Sequence, residues 1–217
     1  MAPISTVLFD LDGTLIDSIR LIIDSYHHTL ATHGLPPRSD EEWLAGIGTP
    51  LTVQFSQWTD DADGMAALVA TYREYNLAHH DSRVSAYPGV VDMIHVLTQR
   101  QLRLGVVTSK NVAGARRGLR LIGIEETMEV IIGADDVTRP KPDPEPVMMA
   151  MERLGVSPDT TVYVGDSLHD MHSGRGAGVR TAAVLWGPFA RTHLEPAAPD
   201  FWLERPGALL DLVGGKQ

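Results

Sequence analysis

The sequence predicts an α/β protein: a Rossmann-like doubly wound parallel sheet with an inserted all-helical cap domain. Three observations carry this expectation. Short apolar runs recur along the chain, each closed by polar residues or glycine. Stretches with helical spacing lie between most of them, and strand–helix alternation of this kind builds a mostly parallel sheet covered on both faces. One long interval after the first run, from about residue 17 to residue 81, contains no convincing strand.

Taken in order, the first run covers residues 4–9 and ends in Asp10 and Asp12. Ile19, Ile22, Ile23, Tyr26 and Leu30 then repeat at helical spacing until Gly34. Ser39 and Glu42 stand at capping-box spacing, and Met65, Leu68, Val69 and Tyr72 mark a further helix. These helices form the expected cap, residues 17–83, between two parts of the core, residues 1–16 and 84–217. Pro88 suits a first helical position, with Val90, Val91, Ile94 and Leu97 on one face. Strands are expected at 102–107, 130–132, 161–164 and 181–186, and a weaker one at 201–203. Between the third and fourth core strands, Asp143 reads as an N-cap before Pro144. Val147, Met148, Met151 and Leu154 form the apolar face there, and Gly155 the stop.

Composition narrows the function classes. A net charge of −10 argues against a general nucleic-acid or membrane-surface binder, either of which needs a basic face. It leaves an anionic substrate open, because a bound divalent cation reverses the local field. The absence of cysteine removes disulfides, thiolate metal sites and a cysteine nucleophile. The N-terminus lacks a signal-type segment and no apolar run approaches membrane-spanning length, so the chain reads as a cytoplasmic protein, monomer or homodimer. Apolar residues at 43% suffice for an ordinary core.

In a parallel sheet, ligands sit beyond the carboxyl ends of the strands. The first strand ends in Asp10 and Asp12, the second in Thr108 and Ser109, the fourth in Gly165 and Asp166 with Asp170 following; Lys141 lies in "RPKPDPEP" after the third. Carboxylates gathered on one edge repel each other unless a cation joins them, and with Mg²⁺ they become a hard oxygen site that also accepts phosphate oxygens. An aspartate can attack phosphorus to form an acyl phosphate, and a second carboxyl two residues on can act as acid and then base. Lysine and hydroxyl groups clamp the transferred phosphoryl. Asp10 is therefore expected as nucleophile and Asp12 as proton shuttle, with Gly13 letting the chain turn close to the phosphate. His169 and His172 lack a third ligand at sensible spacing and are expected on the surface or in packing. His27–His28 and His79–His80 are adjacent pairs that point apart on a helix.

"DLDGTLIDS", "GVVTSK", "KPDPEP" and "VGDSLHD" resemble, in order, the four motifs of the haloacid dehalogenase-like hydrolase superfamily, and the helical insert resembles that family's cap. The resemblance implies Asp10 as the phosphoryl-accepting nucleophile and Asp12 as general acid/base. It implies Thr108, with Ser109 beside it, as phosphate ligand and Lys141 as partner of nucleophile and phosphate. Mg²⁺ would be held by Asp10, the Asp12 carbonyl, Asp166 and Asp170. A dehalogenase would lack Asp12, and a phosphonatase needs a cap lysine, whereas the lysines here are Lys110, Lys141 and Lys216. "GIGTPL" lacks the arginine of sugar-phosphate mutases, which leaves a mutase as a weaker alternative. The branch implied is a Mg²⁺-dependent phosphatase of a small phosphorylated metabolite, resembling phosphoglycolate phosphatases, with a pyrophosphatase as the alternative. A non-catalytic phosphate-binding regulator is a further reading, which loss of Asp10 or Asp12 would signal. The cap loop 46–51, with Gly48 and Thr49, is expected to face the substrate, and Arg20 is a candidate anion partner.

Overall fold

The structure, a computed structural model, describes residues 2–214. The chain opens with β1 (Thr6–Phe9) and β2 (Ile16–Asp17). The helices α1 (Ile19–Thr32), α2 (Asp40–Gly46), α3 (Leu51–Phe55) and α4 (Ala62–Arg83) follow, then the short β3 (Ser85–Ala86). Alternation begins with α5 (Val90–Gln99), β4 (Arg103–Val107), α6 (Val112–Leu121), β5 (Val130–Ile132) and α7 (Glu145–Leu154). It ends with β6 (Thr161–Gly165), α8 (Leu168–Gly176), β7 (Arg180–Val184), α9 (Arg191–Leu194), β8 (Phe201–Leu203) and α10 (Gly207–Val213).

Six strands form one parallel sheet in the order β5-β4-β1-β6-β7-β8. The order reverses at β1, so the crevice for a ligand opens beyond the carboxyl ends of β1 and its neighbour β6. β1 is buried throughout because both faces are covered. Its side chains alternate: Val7 and Phe9 join the core under α5, α6 and α10, while Leu8 packs with Val147, Met151 and Tyr163 on the other face.

The helical unit α1–α4 has a core of its own. Ile19, Ile22, Tyr26 and Leu30 of α1 meet Trp43, Phe55, Leu68 and Tyr72, and the Tyr26 and Trp43 rings stack with centroids 4.1 Å apart. Chain entry and exit are paired as an antiparallel ribbon, Ile16 opposite Ala86 and Asp17 opposite Ser85. Ser39 and Glu42 form the expected capping box. Among the described residues no helix is long and apolar enough to cross a membrane.

Local differences from the sequence reading have physical causes. Helix α5 starts at Val90, two residues beyond Pro88, because Gly89 adopts φ 86° as N-cap. Helix α7 starts after Pro144, yet Asp143 still accepts a hydrogen bond from the Glu145 N–H at 2.9 Å. Met148 is 52% exposed: Val147, Met151 and Leu154 define the buried stripe, and the following residue is turned about 100° away from Val147. The short helix α3 begins at Leu51, the last residue of the expected cap loop 46–51.

Candidate active site

Asp10 follows β1 directly, and its N–H donates to the Val164 carbonyl at 2.8 Å, which fixes it at the sheet's edge. The Lys141 ammonium, delivered by the loop between β5 and α7, donates to Asp10 Oδ1 at 2.8 Å and to Asp170 Oδ1 at 2.6 Å. Asp170 sits in the first turn of α8, where its Oδ2 accepts from the Ser167 N–H and hydroxyl at 3.0 and 2.6 Å. The Tyr163 hydroxyl lies 2.9 Å from both Asp170 Oδ1 and the Val107 carbonyl, and its one proton serves one of them at a time. Asp166 ends the β6 turn and accepts from the Thr14 hydroxyl at 2.9 Å.

Three carboxylates in this space compete with each other. Burial pushes Asp10 up to about 7; Lys141 opposes the rise, and Asp170 and Asp12 add to it. Burial, then repulsion from Asp170 and Asp10, raises Asp166 well above the carboxylate range. For Asp170 burial works upward too, but Lys141 and Ser167 outweigh it and hold the group low. Burial disfavours the Lys141 charge, yet the two aspartates outweigh it and keep the ammonium protonated.

Oxygens of Asp10, Asp166 and Asp170 lie within 4.8 Å of one another. Hard donors at this spacing, two of them pushed toward protonation by burial and then by repulsion, suit a small divalent cation. Among the described residues Asp10 Oδ2 and Asp166 Oδ2 carry no hydrogen bond, whereas both oxygens of Asp170 are engaged. The donor set fits Mg²⁺, with Asp10 and Asp166 offering the free oxygens.

Asp12 occupies a different setting. Lys110 Nζ reaches its two oxygens at 2.9 and 3.2 Å, and the Ser18 hydroxyl donates at 2.5 Å. Burial works upward here as well, but Lys110 and Ser18 overcome it, so Asp12 is held below its ordinary value. Between the two aspartate settings, Gly13 has φ 92°, and a Cβ there would stand 2.6 Å from Asp166 Oδ2. The glycine makes room for the Asp166 carboxylate, a reason the sequence alone did not reveal.

A cavity of about 480 Å³ separates these groups from the helical unit. Thr108 lines it; its hydroxyl oxygen accepts from the Lys110 N–H at 3.1 Å, which leaves the hydroxyl proton for a ligand. The Ser109 hydroxyl donates to the Gly48 carbonyl at 2.5 Å, tying the core to loop 46–51. Gly48 and Thr49 both line the cavity, and the Thr49 hydroxyl donates to the Gly46 carbonyl. Arg20 is placed elsewhere: it is exposed and paired with Asp24 at 2.7 Å and Asp40 at 2.8 Å. His169 packs beneath Gly48 and His172 is exposed. Reasoning from sequence passed over Lys110, Ser18, Thr14 and Tyr163 as partners of the aspartates. Lys110 carried the one usable signal, its place directly after Thr108 and Ser109.

The model of the haloacid dehalogenase-like hydrolases matches residues 7–184. The chain is 41% identical over 213 residues to the pyrophosphatase PpaX of Halalkalibacterium halodurans, covering 98% of each. A solved structure from Bacteroides fragilis, provisionally placed among haloacid dehalogenase-like hydrolases, superposes with TM-score 0.88 at 28% identity, covering 95% of this chain and 99% of that one. A protein of Haemophilus somnus predicted to be a phosphoglycolate phosphatase gives TM-score 0.87 at 22% identity, covering 97% and 98%.

Proposed function

The chain belongs to the haloacid dehalogenase-like hydrolases, and from that premise we propose that it is a Mg²⁺-dependent inorganic pyrophosphatase that works through a phosphorylated Asp10. Residues 17–83 serve as the cap over the site. The observation that carries the substrate is the end-to-end likeness to the pyrophosphatase of H. halodurans, which includes the helical unit that lines the cavity. It favours the second of the two substrates expected from sequence. The likenesses that bear on phosphoglycolate are weaker, at 22% and 26% identity, against 41% for the pyrophosphatase.

The Asp12 setting supports the same choice. Held ionised by Lys110 and Ser18, Asp12 is poorly supplied with a proton for a departing alkoxide. A departing phosphate is a much weaker base and needs that proton less. In the first step one carboxylate oxygen of Asp10 forms a bond to phosphorus while the bridging P–O bond breaks, and the leaving phosphate keeps the electron pair. Lys141 and the Thr108 hydroxyl hold the transferred group, with Ser109, Gly13 and the Gly48–Thr49 loop shaping its surroundings. In the second step water attacks the acyl phosphate and Asp12 accepts its proton, so that phosphate leaves and Asp10 is restored. Mg²⁺, when bound, would be held by Asp10, Asp166 and the Asp12 carbonyl and would supply charge neutralisation for carboxylates and phosphoryl oxygens. Asp170 holds Lys141 in line from behind.

The test is a comparison of kcat/KM on pyrophosphate, phosphoglycolate and p-nitrophenyl phosphate with Mg²⁺ present. Pyrophosphate is expected to give the largest value. A larger value for phosphoglycolate contradicts the reading.

A further inference from the structure

Four basic side chains that are charged at neutral pH line the cavity: Lys141, Lys110, Arg117 and Arg73. Three are neutralised by the protein itself. Lys141 holds Asp10 and Asp170, Lys110 holds Asp12, and Arg117 holds both oxygens of Asp81 at 2.9 and 3.0 Å. The cavity's histidine, His80, is likewise bonded to Asp81 through Nδ1 at 2.8 Å. Arg73, on α4, has no carboxylate partner among the described residues. Asn76 and His80 follow it at helical spacing and also line the cavity, so this face of α4 is turned toward the site.

The surroundings of Arg73 are apolar. Val69 and Leu77 flank it on α4, and Pro50 and Leu51 face the same space from the loop. Arg73 is itself exposed, so water screens part of its charge, while its planar fork matches phosphate oxygens in two parallel hydrogen bonds. The core wall already supplies Asp10, Lys141 and Thr108 for the phosphoryl that is transferred. The cap wall faces the other end of the ligand, the part that departs.

We infer that Arg73 is a specificity-determining residue that binds the leaving phosphate of pyrophosphate. The inference rests on the pyrophosphatase reading and adds to it the group by which the cap tells a phosphate leaving group from an uncharged one. Arg73 takes no part in bond making; it contributes binding to an anion that an aryl or alkyl phosphate lacks at that end.

The test uses the full chain with Mg²⁺ and two variants, Arg73→Ala and Arg73→Lys. A hydrogen-bonded charge contributes about 1.5–3 kcal/mol, so the ratio of kcat/KM for pyrophosphate to that for p-nitrophenyl phosphate should fall roughly 10- to 100-fold in Arg73→Ala. Most of that fall should lie in the KM for pyrophosphate, and Arg73→Lys should restore part of it. Competitive inhibition by imidodiphosphate, a non-hydrolysed analogue, should weaken in parallel. An unchanged ratio, or equal losses on both substrates, overturns the role of Arg73 while leaving the pyrophosphatase reading intact. A wild-type chain inert toward pyrophosphate overturns that reading and the Arg73 subsite with it.

Discussion

The two walls of the cavity are built on opposite principles. On the core wall both lysines are fixed by carboxylates: Lys141 lies between Asp10 and Asp170, Lys110 holds Asp12, and Asp170 is held in turn by Ser167. On the cap wall the lining is mostly apolar, and Arg73 faces the cavity without a carboxylate. The core side is therefore organised before a ligand arrives, which is what charge stabilisation in a transition state requires. The cap side leaves its charge for the ligand to satisfy, which is where a substrate is told from its competitors. On the proposed function, chemistry and selectivity are thus carried by separate layers of the fold.

Within the core wall a second contrast separates Asp10 from Asp12. Burial presses on both: for Asp10 it outweighs Lys141 and leaves the group near 7, with neighbouring carboxylates adding to the rise, while Lys110 and Ser18 hold Asp12 low. Substitutions should break this contrast in a graded way. Asp10→Asn removes the attacking oxygen's charge while keeping the shape, and turnover of every phosphate substrate should fall by about 10⁴-fold or more. Activity near wild type on any of them would end the assignment.

Asp12→Asn should cost about 10²- to 10⁴-fold on pyrophosphate, mainly in the second step, because the attacking water loses its base. Pre-steady-state kinetics should show a burst of phosphate followed by slow turnover. Loss of turnover with no burst would place the damage in the first step.

The mildest probe is the metal itself. Without a cation, the folded-state value of Asp10 is about 7, against 3.8 ordinarily. Between those values the folded protein keeps a proton that the unfolded chain has released, so on Asp10's account stability declines as pH rises through the window. Mg²⁺ displaces that proton and relieves the repulsion. The rise in Tm produced by Mg²⁺ should therefore grow as pH increases toward about 7. A Tm shift independent of pH would show that Asp10 is not the titrating ligand.

Much of this was legible in the chain because strand-end residues are read locally. An apolar run followed by Asp10 and Asp12, or by Thr108 and Ser109, announces both the strand and the edge to which its end belongs. The sheet places those ends together whatever the loops do. Partnerships formed by tertiary folding left no such trace: Lys110 meets Asp12 across 98 positions, and Thr14 meets Asp166 across 152. The place of Gly13 against Asp166 is likewise a matter of packing between strands distant in sequence. Arg20, nearer in sequence to the first motif, turned outward to Asp24 and Asp40, while Arg73, far from any motif, faces the cavity. Helix α4 carries little periodic signal because its buried face mixes Leu68 and Tyr72 with Asn76 and His80.

The central claim is that Asp10 itself carries the phosphoryl group. The direct measurement is to mix the Asp12→Asn variant with pyrophosphate and Mg²⁺, quench, reduce the acyl phosphate with borohydride, and locate the modified residue by peptide mass spectrometry. The account predicts that the aspartate converted to homoserine is Asp10 and that Asp10→Asn, treated identically, shows none. Modification of another carboxylate, or continued turnover of pyrophosphate with no covalent species at Asp10, would contradict it.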